Sequence, residues 1–307
     1  MGILTALLWV VVVVVSATVV GWVFKTILMA VGGERIRRAL RRAPITACFG
    51  MAVILVYCVV AIFAPVLAPF GEREIVGGEF LPWDSTHWLG TDNLGRDMLT
   101  RMIYGARNTV GIALATTALA FALGSLLGLL AATVGGWLDQ LLSRGVDVLM
   151  AIPSLIFSLL LLTIFGTSVV TLILVIAVID ATRVYRLARA VAQGIVVMDY
   201  IEAAKLRGEG LWHLITREIL PNAMAPLVAE FGLRFCFVFL MISALSFLGL
   251  GIQPPTADWG SMVRDNATLI TFGDITPLLP AGAIALLTVA VNFVVDWKLH
   301  EASGLKD

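Results

Sequence analysis

The sequence is short of charge. Only 14% of its 307 residues are Asp, Glu, Lys or Arg, against about 25% in an ordinary soluble domain. That shortage, with 60% apolar content, excludes a typical water-soluble globule. The formal net charge is zero, so the chain lacks the electrostatic footprint of a nucleic-acid binder. Cysteine is scarce as well. Cys48, Cys58 and Cys236 each fall inside an apolar block and form no CxxC pair, which excludes a disulfide framework or a zinc site. They read as small buried apolar residues. Alternating segments of about ten residues are missing, which excludes a transmembrane barrel. No G-x-x-x-x-G-K-[ST], H-E-x-x-H or G-x-S-x-G occurs. ATP binding in the P-loop manner and the commonest hydrolase chemistries therefore have no residues to carry them. No catalytic residue, metal ligand or cofactor site is expected in this chain.

What is present is a series of long apolar blocks, at about 3–31, 45–69, 108–135, 141–165, 168–187, 223–250 and 278–298. A bilayer core needs roughly 20 apolar residues per helix, so the chain reads as an all-α, polytopic membrane protein. The first block lacks a basic leader and a cleavage site and is expected to be a true span. The linker 32–44 carries Arg35, Arg37, Arg38, Arg41 and Arg42, which places it in the cytoplasm. Segments 70–107 and 251–277 then lie outside, and 188–222 and the C-terminus inside. Seven crossings result if the first block spans, six if it lies along the surface.

Two features mark the interior. Ala120, Gly124, Gly128, Ala132 and Gly136 recur every four residues, a stripe that lets another helix approach closely. Pro153 sits inside the fourth block and should kink or break it, with the broken backbone buried or facing a water-filled cavity. Three charge pairs also fall near membrane depth: Asp180 with Arg183, Asp147 with Arg144, and Glu230 with Arg234. They are either paired structural charges or the lining of a substrate path.

The polar stretch YIEAAKLRGEGLWHLITREILPN (200–222) interrupts this greasy pattern. It reads as two short helices. The first runs to about Arg207, with Val197, Ile201 and Ala204 on one face. Gly208-Glu209-Gly210 breaks it. The second runs from Leu211 to Ile219, and Pro221 ends it or opens the next span. Ala203, Ala204, Gly208 and Gly210 would allow a partner close contact. On these grounds alone the stretch is equally an interfacial amphipathic loop. In HWLGTDNLGRDMLTRMIYGAR (87–107), Thr91 or Asp92 can cap a helix. Asp92/Arg96 and Asp97/Arg101 are spaced to support an exposed helix.

Glu202-Ala203-Ala204, Gly208 and Leu220-Pro221 together resemble the EAA loop of ABC-importer permeases, in which the loop docks on a cytoplasmic ATPase. The 87–107 stretch, with Gly90, Thr91, Asp92, Gly95, Arg96 and Asp97, is similar to a signature of dipeptide, oligopeptide and nickel importer permeases of the C type, which implies a short external helix packed on the translocation pore. VDVLMAIPS (146–154) and ALSFLGLGIQPPTADWG (244–260) are similar to the same branch. Two positions depart from the family pattern: Glu218, where Ile or His is usual, and Asp180, near a customary Trp. The resemblance covers about residue 45 to the end.

It implies a six-helix type I importer permease core preceded by an additional N-terminal helix. The division would be an added helix at 1–32, then at 33–106 a basic linker, first core helix and external segment. The permease domain would occupy 107–300, with the coupling loop at 190–222, and the tail 301–307. ATPase coupling would rest on Glu202, Ala203, Ala204, Gly208, Gly210, Leu211, Leu220 and Pro221. Pore candidates are Asp147, Pro153, Asp180, Arg183, Glu230 and Arg234. Implied partners are a homologous permease subunit, two cytoplasmic ATPases holding ATP and Mg, and a periplasmic substrate-binding protein, all at the bacterial inner membrane. The cargo would be peptides, with nickel, glutathione or opines as alternatives. A stand-alone secondary transporter or channel is the competing reading.

Overall fold

A computed structural model describes residues 3–31 and 33–303. Residues 1, 2, 32 and 304–307, and the side chains of residues 3–11, 31, 35, 36, 39, 302 and 303, lie outside the described residues. The chain is a helical bundle, and among the described residues no strand is formed, only an isolated bridge between Thr91 and Asp97. The helices are α1 Ile3–Val31, α2 Glu34–Arg42, α3 Ile45–Leu67, α4 Met98–Gly105, α5 Gly111–Val134, α6 Gly136–Ala151, α7 Ser154–Phe165, α8 Val169–Val196, α9 Asp199–Leu206, α10 Leu211–His213, α11 Leu220–Phe247, α12 Trp259–Asn266 and α13 Leu278–Ser303.

Two joints are π-helical, Ala106–Val110 and Leu214–Ile219. They fuse α4 to α5 and α10 to α11, so Met98–Val134 and Leu211–Phe247 are each one continuous helix of 37 residues. Both therefore begin earlier than their apolar blocks. Five helices are long and apolar enough to cross a membrane, and α6 with α7 makes a sixth, broken crossing. The break is at Ile152-Pro153, where the axis turns by 90°: proline cannot donate to the preceding turn. α8 has a crossing's length, 28 residues, but from its middle on it carries Asp180, Arg183, Arg186 and Arg189, which keep it out of the apolar set.

The core is built from Met98, Leu162, Leu172, Phe239, Leu245 and Trp259, which joins α4, α7, α8, α11 and α12. α1 lies on α3, with Lys25 Nζ donating to Ala43 O at 2.7 Å. Its outer face, including Val12–Val15, Val19 and Val20, is exposed, as expected of a helix bathed in lipid.

The small-residue stripe is real for three of its five members. Ala120, Gly124 and Gly128 are buried against α8. A Cβ on Gly124 would lie 2.6 Å from Val184 Cβ and against the backbone oxygen of Ala181, and one on Gly128 would lie 2.7 Å from Tyr185 O. Ala132 is only partly buried, and Gly136 is exposed beyond the helix. Backbone cannot yield as a side-chain tip can, so Gly124→Val should destabilise the fold by about 2 kcal/mol or more through overpacking. Thermal unfolding of the purified protein in detergent checks this. An unchanged midpoint would mean that α5 and α8 are not locked together.

Candidate functional site

The 200–222 stretch folds as an elbow on the end of the bundle. α9 closes with a glycine cap. Gly208 N donates to Lys205 O at 2.9 Å and Glu209 N to Ala204 O at 3.2 Å, with Gly208 at φ +84°. This is the paired hydrogen-bond motif that satisfies a helix's last carbonyls, and it needs a residue at home in the left-handed region. The chain then turns directly into the long helix from Leu211, so the second segment is not a separate short helix. Pro221 does not end the helix; it follows directly on the wide turn Leu214–Ile219 inside the continuous rod, where the regular hydrogen-bond ladder is already interrupted.

The elbow has two faces. Ile201, Ile215 and Ile219 are buried against Leu129 at the end of α5 and Ala192 on α8. Val197 is not part of that face: it caps α8 and is exposed. On the outer face Leu206 is 84% exposed and Trp212 59%, beside the exposed Glu202, Ala203, Gly208 and Gly210. Ala204 is fully buried, and Leu211 is exposed while Leu220 is half-buried. Glu209 lies between Arg207 (3.9 Å) and His213 (3.6 Å), and Glu218 is 3.9 Å from His213. The unusual Glu218 is thus part of a charge network along the elbow.

The charges deeper in the bundle gather into one cluster. Arg234 Nε is 2.7 Å from Glu230 Oε1, and Arg234 Nη1 is 3.5 Å from Asp180 Oδ1. Arg183 Nη1 is 3.8 Å from the same Asp180 oxygen. Asp180 Oδ2 is buried without a hydrogen-bond partner. Arg234 also lies 4.6 Å over the Phe237 ring. Ser154, Asp180, Arg183, Phe237 and Met241 line a cavity of about 360 Å³, and a second hollow of about 310 Å³ continues along Pro153 and Thr182. Pro153, at the break, borders the second, partly polar hollow.

At the opposite end of the bundle, residues 87–107 are not an exposed helix. Asp92, Arg96, Asp97 and Arg101 are 2%, 5%, 2% and 2% exposed. Asp92 Oδ2 holds Arg96 at 2.7 Å and Arg101 at 3.2 Å, while Oδ1 accepts the N–H groups of Leu94 and Arg96. The helix cap is Asp97, accepting Thr100 N at 2.8 Å, and its other oxygen meets His87 Nδ1 at 3.2 Å. Thr91 Oγ1 donates to Gly78 O. Gly90 and Gly95 both take φ +72° in the loop. Arg101 Nη1 reaches Pro255 O at 3.4 Å, which ties this loop to the segment after α11.

A second tie lies beside it. Thr109 Oγ1 donates to Asp258 Oδ1 at 2.9 Å, Trp259 N donates to Thr109 Oγ1 at 3.2 Å, and Trp259 Nε1 donates to Met102 O at 3.1 Å. Burial pushes the Asp258 carboxyl above its ordinary range, partly offset by hydrogen bonds from Ser261 and Thr109. On the exposed rim, N–H donation from His87 and Thr86 lowers Asp84.

Residues 124–299, which include the elbow, the cavity and Trp259, match the family described as "Binding-protein-dependent transport system inner membrane component". The chain belongs to this family of permeases. It is 36% identical over 264 residues to the dipeptide transport system permease protein DppC of Alkalihalophilus pseudofirmus, covering 85% of this chain and 84% of that one. It is 33% identical over 265 residues to the probable D,D-dipeptide transport system permease protein DdpC of Escherichia coli, covering 86% and 89%. Against the glutathione transport system permease protein GsiD of Pectobacterium atrosepticum the identity is 30% over 273 residues, covering 88% of each.

As an inner-membrane permease, the molecule brings four of the six pore candidates together: Asp180, Arg183, Glu230 and Arg234 form the cluster. Pro153 borders the same hollow. Asp147 does not join them. Its partner is Arg186 at 2.6 Å, not Arg144, and both side chains are largely exposed. Spacing along one helix could not reveal this, because the pair bridges α6 to α8. The same ladder pairs Asp139 with Arg189 and Ser143 with Tyr185 (3.0 Å), residues sequence reading passed over. It also left Thr109, Asp258 and Trp259 without a role, although the A-D-W-G stretch had been singled out.

Proposed function

We propose that this permease forms half of the translocation pore of an ATP-driven importer for peptides or similar small solutes. The elbow carries its coupling to cytoplasmic ATPases. The observation behind this reading is the elbow's two-sidedness: one face is rooted in α5 and α8, and the other presents Leu206 and Trp212 to the outside. Buried apolar surface drives association, and such side chains on a wet, charged loop suit a docking surface. In this reading Glu202, Ala203, Gly208, Gly210 and Leu211 meet the ATPase, and Ala204, Leu220 and Pro221 shape the loop.

The residues also supply a route for coupling. When the partner ATPases close, the elbow moves with them. The α5–α8 pair, interlocked at Gly124 and Gly128, carries that movement to the hollow beside Asp180. The neutral cluster of two acids and two arginines there suits passage of a zwitterion. The partners are a homologous permease, two ATPases that bind ATP and Mg, and an external binding protein meeting the 87–107 face. This chain contributes no catalytic residue. The names of the relatives favour di- and tripeptides or glutathione as cargo over nickel or opines. Residues 107–300 act as the permease domain, with the α1 helix as an addition to it.

The test is to extract the tagged chain in mild detergent, with a cysteine at Leu206 for crosslinking, and identify its companions by mass spectrometry. A second permease and one or two Walker-motif ATPases, with the Leu206 crosslink reaching an ATPase, are expected. A chain recovered alone or only with itself would point to a stand-alone transporter.

A further inference from the structure

α2 joins two membrane-length helices, leaving the bilayer after Val31 and re-entering at Ile45. It therefore lies at a membrane surface, and its five arginines assign it to the cytoplasmic side. Its apolar edge is fixed: Leu40 and Ala43 are buried among Phe24, Leu28 and Met29 of α1, Cys48 and Met51 of α3, and Trp297 of α13. Because α2 cannot roll, its other face is fixed too. There Arg38, Arg41 and Arg42, spaced i, i+3 and i+4 on one side of the helix, surround a hollow of about 430 Å³ closed by Glu301 at the end of α13.

The charges around this hollow do not balance. Arg38 has Glu34 at 3.2 Å, with both side chains exposed. Glu301 is taken by Lys298 at 2.8 Å, whose ammonium lies over Trp297. Among the described residues, Arg41 and Arg42 have no acidic or hydrogen-bonding partner. Basic residues favour a helix C-terminus, which accounts for Arg41 and Arg42 individually. It does not account for three guanidinium groups converging on one hollow, where their mutual repulsion calls for an anion.

We infer that the α2 arginines and the end of α13 form a binding site for the headgroup of an anionic phospholipid in the cytoplasmic leaflet. Guanidinium groups bind phosphate oxygens bidentately, and basic pockets between helices on the cytoplasmic side suit such headgroups. The exposed apolar side chains of Trp22, Ile27 and Ile45 offer the acyl chains a place to lie, which a free phosphate would not need. A lipid seated there would tie the added helix α1 to the α3–α13 pair.

The test uses the full-length chain in neutral detergent and native mass spectrometry. Phosphatidylglycerol and phosphatidylcholine are titrated separately, then phosphatidylglycerol with inorganic phosphate as competitor. Phosphatidylglycerol should bind selectively and survive millimolar phosphate. Replacing Arg38, Arg41 and Arg42 together by Gln should weaken it on the order of 100-fold, as three lost basic contacts imply, and leave phosphatidylcholine unchanged. Glu301→Gln, which removes the acid at the rim, should tighten phosphatidylglycerol several-fold and serves if the triple variant does not fold. Equal binding of both lipids, unaltered binding in these variants, or displacement by inorganic phosphate would each overturn the lipid site, the last in favour of a soluble anion.

Discussion

Asp92→Asn is expected to destabilise this permease by about 3–5 kcal/mol, the range found when one partner of a buried ion pair is removed. Asn keeps the shape and the Oδ1 acceptor for Leu94 N and Arg96 N. What it loses is the negative charge. Arg96 and Arg101, 5% and 2% exposed, would then stand close together without the carboxylate that joins them, leaving Arg101 only the more distant Glu72 and Asp265. Asp97 cannot substitute, because its oxygens already cap α4 and meet His87. The loss should appear as a lower thermal midpoint in detergent and a smaller folded fraction on size exclusion. Asp92→Asn combined with Arg101→Met should regain part of it, since one orphaned charge goes with it. A single variant as stable as wild type would show that water reaches this loop freely and that the buried network contributes little.

The second large effect is expected at Gly208. Gly208→Val places a β-branched residue at φ +84°, where such residues are strongly disfavoured. The cap of α9 should open and the outer face of the elbow shift. Uptake of a labelled dipeptide by cells carrying the complete system should fall more than tenfold, with membrane insertion unchanged. Gly208→Asn is the informative companion, because Asn tolerates the left-handed region and nothing in the chain lies within 4 Å of an added Cβ. An active Asn variant would assign the effect to backbone geometry. A dead one would mean that a partner occupies that space. Normal uptake by both would remove the elbow from the transport mechanism.

The sequence revealed the features that depend on near neighbours in the chain. Pro153 announced its break, and Gly208 its turn. Ala120, Gly124 and Gly128 announced a close helix contact, because the cause of each lies within one or two turns. Partner choice is legible only along one helix: Asp180–Arg183 and Glu230–Arg234 form as their spacing suggests, but the cross-helix partners do not show. Asp147 finds Arg186 and Asp180 finds Arg234 across different helices, and spacing along one helix names only local candidates. For a related reason the spacing in 87–107 suggests a solvated helix, where the structure has a short helix with Met98, Thr100 and Arg101 buried. Charges at i, i+4 look alike whether they face water or a protein interior, and only the packing of Pro255 and Trp259 over that loop decides between them. Likewise the π-helical joints left no mark in composition, so two long helices read as shorter ones.

Those joints have a mechanical consequence. A continuous helix of 37 residues is about 55 Å long, whereas the hydrocarbon layer is only about 30 Å thick. The rod from Leu211 to Phe247 therefore extends well beyond that layer, from the exposed Trp212 to the buried Phe239, which meets Trp259 edge to face. In the coupling reading proposed above, a push at Trp212 would travel along this one rod to Arg234 and Phe237. The wide turn at Leu214–Ile219 and the in-helix prolines Pro221 and Pro226 are the places along it where such a push would be absorbed by bending.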